Sequence, residues 1–194
     1  MRRILPLQTL VRIAAKISDR LAALPFPPSQ LGFALYSEMF ANPRRPVNSS
    51  RFAFLDPRAI TFFVDWERVA DDSVAILRGE AGRNPHDRDL SDLIGELSTQ
   101  SEDFRVRWAK HNVRYHDTGV KRLHHPIVGE LELTYEALIL RAESELTMFA
   151  YTAEPGSRSA ESLDLLANWT APERVEATNA REHDDVCGRP GSTA

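Results

Sequence analysis

The apolar residues change period partway along the chain. From Asp56 to Trp108 they recur at the three- and four-residue spacing of a helix face, and after His111 they alternate every second residue. Phe62, Phe63, Trp66, Val69, Ala70, Val74 and Leu77 form the first helical stripe, opened by Asp56 as N-cap and Pro57 at the first helical position, broken near Asp65 and ended at Gly79. After a turn at Gly82, Asn84 and Pro85, a second helix is marked by Leu90, Leu93, Ile94 and Leu97. Ser101 caps a third, which carries Phe104 and Trp108. Residues 119–125 predict a strand. The run from Glu130 to Glu136 alternates strictly, placing Leu131, Leu133 and Tyr135 on one face of a half-buried strand. A turn between Arg141 and Ser144 and a third strand from Leu146 to Tyr151 complete an antiparallel meander. Pro155 and Gly156 end it, and Ala160, Leu163, Leu166 and Ala167 mark a last helix reaching Trp169.

The flanks are less regular. Leu7, Leu10, Val11, Ala14 and Ile17 recur at helical spacing among Arg2, Arg3, Arg12, Lys16 and Arg20, which predicts a short basic amphipathic helix within residues 1–20, packed peripherally on the domain. Prolines 25, 27, 28, 43 and 46 make residues 25–50 mainly loop, with a short helix from Leu31 to Phe40. Beyond Pro172 aromatics and apolar periodicity fade, so the tail is expected to be disordered. The order of elements predicts an α+β domain, an antiparallel sheet packed against helices.

Composition narrows the class. The chain has 194 residues, 42% of them hydrophobic and 27% charged, enough for one packed domain. Its 24 Lys and Arg against 28 Asp and Glu leave a net charge of −4, which argues against a dedicated electrostatic binder of nucleic acid. A single cysteine, Cys187, excludes an intrachain disulfide framework and multi-cysteine zinc sites. Pro6, Gln8, Arg12 and Lys16 interrupt the N-terminal apolar residues before they reach signal-peptide length, and no run approaches the ~18 residues of a membrane span. A cytoplasmic protein without membrane contact is expected.

The motifs of common enzymes are missing: no G-x-S-x-G, no G-x-x-x-x-G-K-[ST], no G-x-G-x-x-G. His111, His116, His124 and His125 crowd one region. Adjacent strand residues point to opposite faces, however, so His124 and His125 leave too few convergent metal ligands unless a carboxylate such as Asp117 joins them. Lys121 and Arg122 form a small basic cluster, read as a solvated strand face in preference to a phosphate contact. The aromatics Phe62, Phe63, Trp66, Phe104 and Trp108 read first as core. Facing a curved antiparallel sheet, they are equally the residues that line an apolar ligand pocket.

Four stretches are worded like a known family: RFAFLDPRA (Arg51 to Ala59), FFVDWERVA (Phe62 to Ala70), the long run from Asp92 to Leu138, and YTAEPGSRSAESLDLLANW (Tyr151 to Trp169). With ALYSEMFANPRRPVNSS before them, they closely resemble the MmyB-like ligand-binding domain of Xre-type bacterial transcription regulators. The resemblance implies a PAS-like domain over residues 31–171, between an atypical segment at 1–30 and the tail at 172–194. It implies a non-enzymatic sensor for a small hydrophobic ligand of the fatty-acid type, with no cofactor and no metal. Family members carry a helix-turn-helix and opening sheet strands before this region, whereas residues 1–30 show neither pattern. The sheet is therefore expected to be incomplete with one edge open, and specific DNA binding by this chain is not expected. Truncation, a misplaced start and a stand-alone sensor all fit that departure. The expected pocket lining is Phe54, Phe62, Phe63, Trp66, Phe104, Trp108, Leu131, Leu133 and Tyr135, between the sheet of residues 119–153 and the helices of residues 57–110. A homodimer, or a heterodimer with an intact regulator, would be the partner. The rival readings are an interaction module without ligand and, behind it, a small metal-dependent hydrolase using the histidines.

Overall fold

The computed structural model describes residues 11–16, 29–43, 47–110, 118–139 and 146–170. Among the described residues four strands, β1 (Val11–Lys16), β2 (Thr118–His125), β3 (Gly129–Ile139) and β4 (Leu146–Thr152), form one antiparallel sheet in the order β1-β4-β3-β2. The described residues also form eight helices: α1 (Gln30–Leu35), α2 (Ser37–Phe40), α3 (Ser49–Leu55), α4 (Arg58–Phe62), α5 (Trp66–Arg83), α6 (Arg88–Gln100), α7 (Glu102–Ala109) and α8 (Arg158–Thr170). The fold is α+β, as the change of period predicts.

The β2–β3 hairpin turns through Pro126, Ile127 and Val128, with Gly129 at φ 75°, a left-handed value that favours glycine. Alternation on β3 buries Leu131, Leu133 and Tyr135 and leaves Glu130, Glu132, Thr134 and Glu136 exposed. The helix starts follow their side-chain caps. Asn48 accepts from the Ser50 and Arg51 amides at 2.9 and 3.0 Å, Asp87 from Leu90 at 3.1 Å, and Ser101 from Phe104 at 3.2 Å. The expected break near Asp65 is present: α4 ends at Phe62, Phe63 pairs with Leu123 as an isolated bridge, and α5 starts at Trp66.

The structure corrects the sequence reading in three places, the first being that α5 runs past Gly79 and through Gly82 to Arg83. Residues 11–16 are a strand and not part of a basic helix, and they pair with β4 from Val11 opposite Tyr151 to Lys16 opposite Leu146. Residues 1–30, expected to supply no opening strand of the sheet, therefore supply one beside β4. Val11 and Ile13 alternate with Arg12 as well as fitting a helical stripe, and pairing with β4 decides between the two periods. Helix α3 lies inside a stretch whose first half reads as loop, because its apolar content starts only at Phe52 while its cap starts at Asn48. The 141–144 turn, the tail from 172, His111, His116 and Asp117 lie outside the described residues.

Two cores result. The larger fills the space between the sheet and α1, α2, α3, α4 and α8, and includes Leu35, Phe52, Phe62, Phe63, Leu123, Leu131, Leu133, Tyr151, Leu163 and Leu166. The smaller lies among α5, α6 and α7 and is built on Val74, Leu77, Leu90, Leu93, Leu97 and Phe104. The outer edge of β2 is covered as well. Val64 N–H donates to the Arg122 carbonyl at 3.1 Å, and Arg68 donates to the Val120 carbonyl, so the α4–α5 connection shields this edge from pairing with another strand.

Candidate ligand site

The inner face of the sheet presents Leu123, Leu131, Leu133, Tyr135 and Tyr151 to the helices, all of them buried. Phe52, Phe62 and Phe63 meet above it with ring centroids 5.0 to 5.8 Å apart, close to edge-to-face, and Tyr36 lies 5.6 Å from Phe62. This layer is apolar with a small number of placed polar groups, the composition of a ligand site.

The nine residues singled out from sequence fall into two groups. Phe62, Phe63, Leu131, Leu133 and Tyr135 belong to the helix–sheet core, and Trp66 packs at its margin, its indole N–H donating to the Ala53 carbonyl at 2.8 Å. Phe104 belongs to the helix–helix core, with Phe54 and Trp108 packed against it. Phe54 stands between the two cores, 6.3 Å from Trp66 and 5.1 Å from Phe104. Trp108 stacks on Phe104 at 5.5 Å and lies under the Arg78 guanidinium, so it serves the α5–α7 packing and not the sheet interior expected of it. Phe52, Tyr36 and Tyr151 belong to the helix–sheet layer and stand outside the sequence-derived set.

Polar bonds fasten the α1–α2 corner to the sheet. The Tyr36 hydroxyl donates to the Tyr151 hydroxyl at 3.0 Å, and burial, reinforced by Tyr151, pushes the Tyr36 phenol well above its ordinary value of 10.0. His125 is 1% exposed; Ile127 and Val128 amides donate to its Nδ1 at 3.2 and 3.4 Å, which leaves the proton on Nε2 to donate to the Ala34 carbonyl at 3.0 Å. The Ser37 hydroxyl lies 3.5 Å from the same nitrogen. Burial holds the imidazole below its ordinary 6.5 against the opposing pull of the Ala34 bond and Glu38, so this histidine is a neutral structural link. His124 points to the other face and is exposed, and among the described residues no group of three histidine, cysteine or carboxylate side chains could hold a metal ion.

A second fastening sits beneath the corner. Arg58 donates to Asp56 from its amide at 3.1 Å and from its guanidinium at 2.9 and 2.6 Å, and Asn42 donates at 2.7 Å. These bonds, the guanidinium's above all, outweigh burial and hold the carboxyl down at about 2. Lys121 and Arg122 do not act together. Arg122 pairs with Asp65 on the outer side, at 2.8 Å for one of its two bonds, while Lys121 lies over the Phe63 and Tyr135 rings on the inner side.

A depression of about 90 Å³ beside the aromatic layer, lined by Met39, Asn42, Val47, Asn48, Arg51, Phe52 and Leu55, has the volume of roughly three waters and falls short of the ~300 Å³ at which ligand pockets begin. Among the described residues no helix is long and apolar enough to cross a membrane.

A search of curated proteins finds no match to this chain. The model of one family, the MmyB-like transcription regulator ligand binding domain, matches residues 29–166, which takes in α1 through most of α8 together with β2, β3 and β4. Both cores, the aromatic layer over the sheet and the pinned α1–α2 corner lie within the matched span, and the chain belongs to the MmyB-like transcription regulator ligand binding domain family.

Proposed function

We propose that the chain is the cytoplasmic sensing part of an Xre-type regulator, in which a fatty-acid-like molecule enters a PAS-like domain spanning residues 31–171 and shifts its packing. The family match over residues 29–166 carries this reading, because it assigns ligand binding to the span that holds the aromatic layer. Entry between the sheet and α1–α4 would displace Phe62, Phe63, Leu133 and Tyr135 from their present contacts, which the α1–α2 corner would register through Tyr36 and His125. A ligand shifts such an equilibrium only by its difference in affinity for the two packings. The change would be reported to a DNA-binding unit, on a partner regulator or within a homodimer, and not by base contacts from this domain.

Organic extraction of the purified protein followed by mass spectrometry tests the reading, with calorimetric titration of the delipidated protein beside it. Copurified single-chain lipid, or saturable binding of a long-chain fatty acid, is the expected result. Absence of both in a well-folded sample would contradict it and favour an interaction module without ligand. That second reading has an observation of its own: Leu165 and Trp169 on one flank of α8 are 61% and 70% exposed.

A further inference from the structure

The helix–sheet layer holds polar capacity that the fold does not use. Tyr36 and Tyr151 are 5% and 4% exposed and share one hydrogen bond of 3.0 Å. Two phenols bring two protons, and this bond uses one of them. The other has no acceptor among the described residues, although buried donors are as a rule paired and an unpaired one costs about 1–3 kcal/mol.

Lys121 is the second such group. It shares the inner face of β2 with Leu123 and His125, and its ammonium lies 5.7 Å from the Phe63 ring and 5.6 Å from the Tyr135 ring. It pairs with no carboxylate among the described residues, whereas its neighbour Arg122 is paired with Asp65. The rings of Tyr135, Tyr151 and Tyr36 follow one another at 6.1 and 6.0 Å, so a continuous aromatic row joins the lysine to the phenol pair. Gly119 makes the near end of that row possible. A Cβ there would meet the Tyr135 ring at 2.9 Å, so only glycine lets the ring lie flat across β2 beneath the ammonium.

We propose that this row is the head-group selector of the ligand site, built for a single-chain amphiphile with an acidic oxygen. The oxygen accepts the spare phenol proton of the Tyr36–Tyr151 pair, and the four-carbon stem of Lys121 swings its charge toward it. The apolar chain takes over contacts now made by Phe62 and Leu133. An anion at the phenol pair competes with the Tyr36–Tyr151 bond, which together with the His125 bonds to Ala34 and Ser37 fastens the α1–α2 corner to the sheet, so head-group capture and loosening of the corner are one event. The inference rests on the ligand-binding reading above and adds to it which atoms read the head group.

The test titrates dodecanoate and dodecan-1-ol, both below micelle-forming concentration, into the delipidated full chain and into Lys121→Met and Tyr151→Phe. Both substitutions keep most of the side-chain volume, and a thermal melt checks that each folds. The expected result is that the acid binds at least about tenfold tighter than the alcohol, and that each substitution weakens the acid about tenfold while moving the alcohol less than twofold, the size of one charge-assisted hydrogen bond. Equal binding of acid and alcohol by the parent chain, or equal weakening of both in the variants, would overturn the selector and leave the ligand-binding reading standing. No binding of either by a folded parent would overturn both. Should Tyr151→Phe fail to fold, the acid-to-alcohol ratio in Lys121→Met decides alone.

Discussion

The two cores of this domain are closed by different means. Between α5, α6 and α7 the buried cluster is built on aliphatic and aromatic side chains, and the polar groups sit at its margin: caps at Asp87 and Ser101, Arg78 over the Trp108 ring, and Arg107, which pairs with Glu67, Asp71 and Asp103 and lies over the Trp66 ring. Between the sheet and α1–α4 the interior itself contains polar groups, with Tyr36 on Tyr151 and His125 on Ala34. An apolar core resists any change of shape because every displacement opens a void. A core with a few directional bonds has discrete arrangements, in which a bond is either made or replaced. The first kind of core suits a scaffold, and the second suits an element that a ligand moves.

The largest effects should test the scaffold. Leu93→Ala, at a site 0% exposed, is expected to cost about 3 kcal/mol, read as a lowered urea midpoint, and to leave the affinity of the folded protein for ligand unchanged. A change in affinity as large as the change in stability would dissolve the distinction between the cores.

Asp56→Asn should cost on the order of 2 kcal/mol at neutral pH, since the folded carboxyl is held at about 2 against 3.8 when free. A depressed carboxyl stabilises the fold above its unfolded pKa and loses that contribution as pH falls from 3.8 toward 2. The difference between parent and variant should therefore shrink across that window in acid unfolding titrations. A difference independent of pH would assign the loss to packing.

His125 gives the opposite window. Its folded value lies below the ordinary 6.5, so the unfolded chain binds the proton more readily; stability is complete above 6.5 and declines as pH falls below it. His125→Gln should lower stability at pH 8 and flatten the slope between pH 6.5 and 5. Should the slope persist in the variant, another group is titrating there.

The smallest effects concern the tryptophans. Trp66→Phe loses the bond to Ala53, worth about 1 kcal/mol, and sits at the margin of the ligand layer, whereas Trp108→Phe keeps the stack on Phe104. Ligand is expected to quench or shift the emission that Trp66→Phe removes, and to leave the Trp108 contribution unchanged. A response from Trp108 alone would place the ligand among α5–α7.

What the sequence makes legible follows from how local each signal is. The α6 and α7 helices are readable because their caps and apolar stripes lie within one segment, and β3 because its alternation is complete between Glu130 and Glu136. Strand β1 is not readable from its own residues, since six residues that satisfy both periods are settled by a distant partner strand, as Val11 opposite Tyr151 shows. The division of the nine aromatic and aliphatic candidates between two cores is hidden for the same reason: Phe104 and Phe62 look alike in a helical stripe, and only the course of α5 separates them. The Tyr36–Tyr151 pair, 115 residues apart, leaves no mark on either local pattern.

Hydrogen exchange of the delipidated chain, with and without saturating dodecanoate, tests the central claim most directly, because it reads both cores in one experiment. Altered exchange is expected in residues 30–40 and in β2 and β4, where the corner is fastened to the sheet, and unchanged exchange in α6 and α7. Binding accompanied by changes confined to α6 and α7, or spread evenly over both cores, would contradict that claim.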